Sequence, residues 1–386
     1  MNRLHPPERR ERRERREGFA LPAAIFSLVL LSALVAGAVF VSTEELRSGR
    51  ADGADQRALA AAEWALDRAI LGWDARRNLE QPVGRTDTLL TEYGPPNDRV
   101  IVAATHVQPD AVWMTATATR GGDRRGIPAR HTIGASLRLD GTGIVPRAAL
   151  TTAGTVSVDG GIVDGRDAAA LGDSTTTCPE NTSAAGIAVP DVSRVTCVAC
   201  ATSRDSGVFG APAIDSSGLT GSAFAALGET TIASLVRRAS IDLSGGLVTP
   251  QPVSVNGVCD RADPLNWGDP GMSSSCVAWL PVIHVRGSVV LGPGSVGQGI
   301  LVADGSVQVD GGARFVGLVL AGGEITVSGQ GAEIAGAAFA GMTDLAARSL
   351  VMDGGAIRFS SCAVRRASIG SARLVRTPGR WWVELR

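Results

Sequence analysis

The apolar positions at the start of the chain follow a helical pattern. Residues 19–41 are uncharged and mostly apolar, and as a helix this run rises about 35 Å, enough to cross a hydrocarbon core of about 30 Å. Apolar residues continue at helical spacing as far as Trp73, and alanines form one side of the helix. These alanines are Ala58, Ala62, Ala65 and Ala69. The pattern predicts one spine helix over 19–75, of which 19–41 lies in a membrane and the remainder is amphipathic.

Two strand patterns follow the helix. Between residues 98 and 139, alternating or β-branched runs are divided by Pro-Asp and Gly-Gly turns, which predicts three antiparallel strands in a small sheet. Further on, a strand followed by a glycine turn starts at equal intervals, at Gly287, Gly305 and Gly323. A repeat of this length, about 18 residues, is typical of a β-solenoid, in which each coil packs against its neighbours. We therefore expect an α+β fold with a spine helix, a small antiparallel sheet and a C-terminal Gly-rich β-solenoid.

Segments on either side of the regular repeats extend this picture. Further coils are predicted at Thr155 and Leu350, one before and one after the regular set. Residues 216–240 have the pattern of helix and loop, which we expect to cap or flank the coils. The basic tail carries the Trp pair 381–382. Because an exposed Trp pair is costly, we expect the tail to dock on an edge of the sheet or of the solenoid.

Charge and composition exclude several kinds of function. Residues 1–18 contain seven Arg and four Glu, and this positive charge next to an apolar run is a topology signal rather than a nucleic-acid footprint. We therefore predict no nucleic-acid partner. The chain contains no Lys, so a P-loop nucleotide site and Schiff-base chemistry are both excluded.

The apolar run has two possible fates. The basic leader and the small residues 36–38 together have the form of a cleavable secretory signal, which would leave a chain that begins at Val39. The apolar stretch before that site is long, however, and the helical pattern continues through it. These two features favour a run that stays in the mature protein.

The junction between the leader and the apolar run resembles the processing site of prepilins. A charged leader that ends in Gly18, followed by Phe19 and about twenty apolar residues, has the form of a type III signal. In that family a prepilin peptidase cuts after the glycine and methylates the new N-terminal residue. The resemblance implies a cut between Gly18 and Phe19 and a mature chain that keeps the apolar run.

The segment GFALPAA…EEL…ALAAAEWALDRA is more specifically similar to PilX-type pilus assembly proteins, and CDRADPLNWGDPG, PVIHVRGSVVL and SSCAVRRA downstream also resemble that family. One difference is Ala23, where ordinary prepilins carry a glutamate. A carboxylate in hydrocarbon is costly without a charge partner, so its absence suits a subunit with no neighbour above it. The resemblance implies a minor pilin or pilus assembly subunit of a bacterial type IV pilus or related secretion filament.

The same resemblance implies a location and a set of partners. The protein is expected in the bacterial inner membrane, as a single-pass protein with an exported C-terminal part, and later in a pilus or at the cell surface. The implied partners are prepilin peptidase, other pilins along the N-terminal helix, and the inner membrane. A membrane-anchored or secreted β-solenoid adhesin, unconnected with any pilus, remains the alternative.

The chain is accordingly divided into five segments. They are a charged leader (1–18), the spine helix (19–75, with its membrane half at 19–41), a pilin-like β region (76–145), the β-solenoid with a helical and disulfide-bonded insertion (146–365), and a basic C-terminal tail (366–386).

All six cysteines lie downstream of the apolar run, in the part expected to be exported, where disulfides are favoured. They are Cys178, Cys197, Cys200, Cys259, Cys276 and Cys362. Cys259 and Cys276 bracket a Pro/Gly/Ser-rich loop and are expected to pair, whereas Cys178 is expected to pair with either member of the CxxC motif at 197–200 and Cys362 with the other. No second close pair or His cluster accompanies that motif, so we predict no metal and no cofactor.

β-Solenoids also carry polysaccharide-cleaving enzymes, whose chemistry needs two carboxylates in one groove. Asp304, Asp310 and Asp353 each precede a glycine, at a turn where Asp caps its own backbone. We therefore predict no catalytic residue and no enzymatic activity, and a glycan-active enzyme is a third alternative.

Overall fold

A computed structural model of the protein describes residues 20–75, 77–94, 98–120, 128–141, 143–168, 183–197, 207–217, 227–228, 230–271, 274–342, 348–377 and 382–385. The architecture is mixed α+β, with a long apolar N-terminal helix, an antiparallel sheet and a larger parallel sheet. The helices are α1 (Ala20–Leu71), α2 (Arg77–Glu80), α3 (Ile232–Arg237) and α4 (Ser361–Gly370), with a 3₁₀ turn at Val192–Arg194.

The antiparallel sheet combines strands that follow α1 directly with strands from the C-terminal segment. Its strands are β1 (Thr86–Gly94), β2 (Asp98–Gln108), β3 (Ala111–Arg120), β4 (Ala129–Asp140), β23 (Arg373–Arg376) and β24 (Trp382–Leu385). They lie in the order β1-β2-β3-β4-β23, and β24 also pairs with β4. β2, β3 and β4 match the three strands predicted between 98 and 139. β1 was not predicted, because its sequence TDTLLTEYG alternates poorly between apolar and polar residues.

The outer half of α1 packs on this sheet. Its buried residues are Ala58, Ala62, Ala65 and Leu66, and they belong to one apolar cluster with side chains from β2, β3 and β4. Alanine side chains are short, so the helix backbone can approach the sheet closely, while Leu66 fills the remaining space at zero exposure. The predicted alanine side of the helix is therefore the side that faces the sheet.

The parallel sheet contains 16 strands. They are β5 (Ala148–Thr152), β6 (Thr155–Asp159), β7 (Ile162–Asp164), β8 (Ala185–Ala188), β9 (Val195–Cys197), β10 (Gly207–Phe209), β11 (Ile214–Asp215), β12 (Ile241–Val248), β15 (Val282–Leu291), β16 (Val296–Ala303), β17 (Val307–Val309), β18 (Arg314–Ala321), β19 (Ile325–Ser328), β20 (Glu333–Ala340), β21 (Arg348–Asp353) and β22 (Ala356–Phe359). Two more strands, β13 (Ser254–Val255) and β14 (Val258–Cys259), form a separate hairpin.

Strand pairing bends the parallel sheet into three rows around one apolar core. The first half of β15 pairs with β16, and its second half pairs with β17. β16, β18 and β20 pair with one another along both halves, and their first halves form the third row. Partners in adjacent layers are separated by one sequence repeat, as from Val282 to Ile300 and from Ile300 to Leu318. The result is a nearly closed, barrel-like sheet whose interior is filled by apolar side chains of all three rows.

Three glycines form the bends between two of these rows. Gly299, Gly317 and Gly336 are paired across β16, β18 and β20, with φ angles of 106°, 133° and 142°. Positive φ values of this size are strained for any residue with a Cβ. A Cβ added to Gly317 would lie 2.1 Å from the carbonyl oxygen of Gly299. The bend therefore requires glycine in these three layers.

The layers do not follow one another in chain order. β20, β21 and β22 pair in parallel with β5, β6 and β7, respectively, so the strand that begins at Thr155 lies beside the strand that contains Leu350. In the sequence these two segments come before and after the regular repeats, and that chain order does not predict that they pair with each other. Layers β5 to β11 extend away from β20, and the chain then continues to β12 at the far end, where β12 pairs only with β15 among the described strands.

Helices α3 and α4 cover the outer side of the row formed by β15, β16 and β18. Leu235 of α3 and Val364 and Ala367 of α4 share an apolar cluster with Ile300 and Leu318. The Ser360 hydroxyl caps α4 by accepting a hydrogen bond from the backbone N–H of Ala363 at 3.2 Å. The described part of 216–240 thus includes a flanking helix.

The C-terminal residues dock on the antiparallel sheet. β23 and β24 both pair with β4, so the edge that β4 would otherwise expose is covered. The segment boundary drawn between 365 and 366 falls inside α4, and the strands that follow belong with the sheet assigned to 76–145.

A buried histidine gives the fold a defined pH dependence. His106 is 1% exposed and stacks on Trp73, and burial lowers its pKa below the ordinary 6.5. Between the lowered pKa and 6.5 the unfolded chain binds more protons, so the free energy of unfolding should fall as the pH drops below 6.5. Each unit of pKa difference contributes about 1.4 kcal/mol to the full loss.

Urea unfolding of the detergent-solubilised full chain at about pH 7.5 and about pH 5.5 measures this loss. The variant His106→Gln should lose less stability over the same interval. Equal losses in the two proteins would show that His106 does not carry the effect.

Candidate functional site: the N-terminal helix

The first half of α1 presents apolar side chains on every side. Between Ala20 and Arg57, no described side chain of the helix is buried. Leu21 is 73% exposed, Phe26 65% and Leu34 69%. Among the described residues nothing covers this apolar surface, and so large a contiguous apolar surface is typical of a segment that contacts a membrane or another protein.

The length and composition of this helix suit a bilayer. α1 is the one described helix long and apolar enough to cross a membrane, and it is compatible with a single-pass anchor. The first ion pair along it joins Glu44 and Arg47 at 2.8 Å. This charged pair follows the end of the uncharged stretch, which is the part of the helix that hydrocarbon could accommodate.

The few hydroxyls in the apolar half are satisfied within the helix. Ser27 donates a hydrogen bond to the carbonyl oxygen of Ala23 at 2.8 Å, and Ser32 to that of Leu28 at 2.7 Å. A hydroxyl bonded to its own helix needs no partner from lipid, so these serines are tolerated in hydrocarbon. Ala23 itself lies exposed on the helix surface. The apolar half therefore carries no described group that needs a countercharge.

Ion pairs fix the outer half of α1 to the antiparallel sheet. Arg68 pairs with Glu92 of β1 at 2.5 Å, Asp67 pairs with Arg376 of β23, and Asp55 contacts the His131 ring. Exposed pairs contribute little stability singly. Together with the buried alanine side they hold α1 in one orientation, so the apolar half projects from the folded body.

The proposed processing residues lie outside the described part of the chain. Gly18 and Phe19 immediately precede Ala20, the first described residue, and the leader 1–18 lies outside as well. Processing after Gly18 therefore remains a prediction from the sequence.

For one disulfide, both cysteines lie in the described part of the chain. Cys259 and Cys276 form a disulfide. Cys197 and Cys362 are also disulfide-bonded, and their partners are not among the described residues. Cys178 and Cys200 lie outside the described ranges. In the described part of the chain, no group of three or more His, Cys, Asp or Glu side chains is placed to hold a metal ion.

The disulfide closes a loop that sequence reasoning did not resolve. Asn266 is completely buried, and its side-chain amide donates to the carbonyl oxygens of Val253 and Asp260 at 2.9 and 2.6 Å. Trp267 follows with zero exposure and meets Phe315 edge to face, with 6.4 Å between ring centroids. The loop thus inserts a tryptophan into the core of the parallel sheet. In the sequence, the run NWGDPG is the signal that could have predicted this inserted tryptophan.

Two of the three turn aspartates are engaged by neighbouring side chains. Asp304 lies 3.1 Å from Nε2 of His284, and Asp310 accepts hydrogen bonds from Gln308 and Ser328 at 2.8 and 3.1 Å. Such contacts are those of turn and ladder residues.

The other described contacts near these turns are also local. Asp353 stands opposite Asp159 in the pairing of β21 with β6. His284 also contacts Asp242, at 3.4 Å, and hydrogen bonds donated by Arg286 lower the pKa of that aspartate. His284 thereby links three successive layers of the parallel sheet.

Comparison with known proteins gives a likeness to solved structures alone. No protein-family model matches the chain, and no curated protein matches it. Among solved structures the chain is similar to the competence-associated pilin ComZ from Thermus thermophilus, with 12% sequence identity over 88% of this chain and 96% of that chain. The TM-score is 0.22, which is too low to establish a common fold.

Proposed function

We propose that the protein is a minor pilin or pilus assembly subunit of a bacterial type IV pilus or a related secretion filament. The observation that carries the proposal is α1, whose apolar first half is exposed along its whole length while its second half is fixed to a sheet. An anchor alone would need only the membrane span. A helix that also continues rigidly into the folded body suits a subunit that packs against other helices.

The proposed mechanism is an exchange of surroundings for one apolar surface. Before assembly the first half of α1 lies in the inner membrane, where lipid covers it. During assembly it leaves the bilayer and packs against the corresponding helices of other pilins. No described side chain of Ala20–Val41 carries a charge, so neither environment has to supply a counterion for a side chain of this segment.

The parallel sheet is proposed to act as an exported, non-enzymatic β-solenoid at the tip or flank of the filament. Paired residues keep an equal sequence separation, from Val289 to Val307 and from Val307 to Ile325, which supports one coil per sequence repeat. Serine hydroxyls of one layer accept hydrogen bonds from the backbone of the next, as Ser288 does from Ser306 and Ser306 from Glu324. Such ladders stabilise stacked coils.

Processing and position in the filament follow from the resemblance to PilX-type proteins. Prepilin peptidase would cut after Gly18 and methylate Phe19. Ala23, in place of the usual acid, would give a subunit that does not need a partner above it. The Ser27 hydroxyl donates its hydrogen bond to the Ala23 carbonyl oxygen, so this polar side chain needs no partner outside the helix.

Mass spectrometry of the mature N-terminus tests the proposal. We expect a chain that begins at methylated Phe19 in cells that contain prepilin peptidase, and an uncut chain in cells that lack it. A mature chain that begins at Val39 would contradict the proposal, because the apolar half of α1 would then have been discarded. A chain cut at Phe19 but never found with other pilins would favour the adhesin.

A further inference from the structure

An open pocket of about 440 Å³ lies where the end of α1, the end of α3, the connection from α4 to β23 and the start of β15 meet. The residues that line it include Trp73, Trp279, Leu280 and Leu374. Pockets that bind small molecules have this size and this mostly apolar lining, with a few polar groups that orient the ligand.

The polar groups of this pocket include two neighbouring arginines. Arg238 follows α3 and is only 8% exposed, and Arg373 is the exposed first residue of β23. The Arg373 guanidinium donates a hydrogen bond to the Arg238 carbonyl oxygen at 3.4 Å, so the two residues are in contact. Both are pocket-lining residues.

The buried guanidinium is incompletely satisfied. Its Nη1 donates to the Asp140 carbonyl oxygen at 2.6 Å, while its Nε is buried without a hydrogen-bond partner. Burial lowers the pKa of Arg238; the negative charge of Asp140 opposes this effect and the positive charge of Arg373 adds to it. Among the described residues, neither arginine forms an ion pair with a carboxylate.

The backbone is shaped to admit this arginine. Gly141 has a φ of 103°, and a Cβ at that position would lie 2.2 Å from Nη1 of Arg238. Any other residue at 141 would therefore displace the guanidinium. The Asp140 carboxylate offsets part of the cost of this buried charge without forming an ion pair with it, so an anion bound directly to the guanidinium would lower the cost further.

We infer that this pocket binds a small molecule that carries a phosphate or a carboxylate, with the oxyanion held by Arg238 and Arg373 and the body of the ligand against the two tryptophans. Guanidinium groups match the geometry of both oxyanions with paired N–H donors. The inference is independent of the proposed function, because neither arginine belongs to the apolar half of α1.

Isothermal titration calorimetry on the detergent-solubilised full chain tests this inference, with inorganic phosphate and acetate as separate probes at constant ionic strength. We expect saturable binding of at least one probe. Phosphate binding would assign a phosphate-bearing ligand and acetate binding a carboxylate-bearing one. Saturation by neither probe would overturn the inference.

Three variants locate the site. Arg373→Gln removes an exposed side chain, so the protein should fold, and the affinity for the bound probe should fall by about tenfold or more. Arg238→Gln should abolish binding. Arg237→Gln is the matched control, because Arg237 is an exposed neighbour outside the pocket lining, and its affinity should equal that of the parent. Undiminished binding by Arg373→Gln would overturn the inference even if Arg238→Gln does not fold.

Discussion

Gly317→Ala is expected to lower the free energy of unfolding by about 3–5 kcal/mol. The new methyl would lie 2.1 Å from the Gly299 carbonyl oxygen and 3.1 Å from the side chain of Ala367 in α4. The φ of 133° adds strain to this clash. The neighbouring layer is bent in the same way and cannot move aside without breaking its own pairing, so the substitution disturbs several layers at once. Urea unfolding of the detergent-solubilised chain measures the effect.

Gly287→Ala provides the matched control for this prediction. Gly287 also has a positive φ, of 94°, but a Cβ there would meet no atom within 4 Å. The variant should therefore lose only the cost of the backbone conformation, about 1–2 kcal/mol. Equal losses for the two variants would mean that the clash between layers has been relieved by movement and that the column of glycines is not required.

The double substitution Leu28→Arg/Leu31→Arg is expected to remove the protein from the membrane fraction and from filaments. Both leucines are strongly exposed in the apolar half of α1, at 67% and 62%. An arginine near the centre of a spanning helix costs about 3 kcal/mol, so the pair costs about 6 kcal/mol. Placing the altered helix in the bilayer or in a bundle of apolar helices should therefore be unfavourable. Carbonate extraction of membranes and immunoblotting of sheared filaments measure the two outcomes.

A control with the same added charge separates position from charge. Leu46→Arg/Ala60→Arg places both arginines on exposed sites of α1 beyond the apolar run. This variant should stay in the membrane fraction and enter filaments like the parent chain. Retention of Leu28→Arg/Leu31→Arg in carbonate-washed membranes would mean that this part of α1 does not lie in hydrocarbon.

The elements that depend on local patterns were predictable from the sequence. The helix over Ala20–Leu71 follows from an unbroken apolar run and its alanine side. The length of the repeat follows from the spacing of strand and glycine turns, which the pairing of Val282 with Ile300 reproduces. Both features depend on patterns within short stretches of sequence, so they can be predicted without knowing which distant segments are in contact.

The order of the layers could not be predicted in the same way. Each layer presents the same alternation of apolar and polar residues, so any layer can in principle stack on any other. The pairing of β20 with β5 joins segments that are far apart in the chain, such as Ala338 and Leu150, and no local signal marks it. The pocket at Arg238 could not be predicted for the same reason, because Arg373 and Gly141 come from distant parts of the chain.

The pairing of β20 with β5 also sets the order in which the part of the chain after α1 can complete its fold. β5 is synthesised well before β20, so one edge of β5 stays unpaired until β20 has been made. An unpaired strand edge is open to wrong partners during that interval. Contacts between such distant segments also slow folding, because a long loop must close before they form. The last strands of the parallel sheet and the tail strands β23 and β24 therefore complete the fold, and a chain truncated before them would leave β5 and β4 each with an unpaired edge.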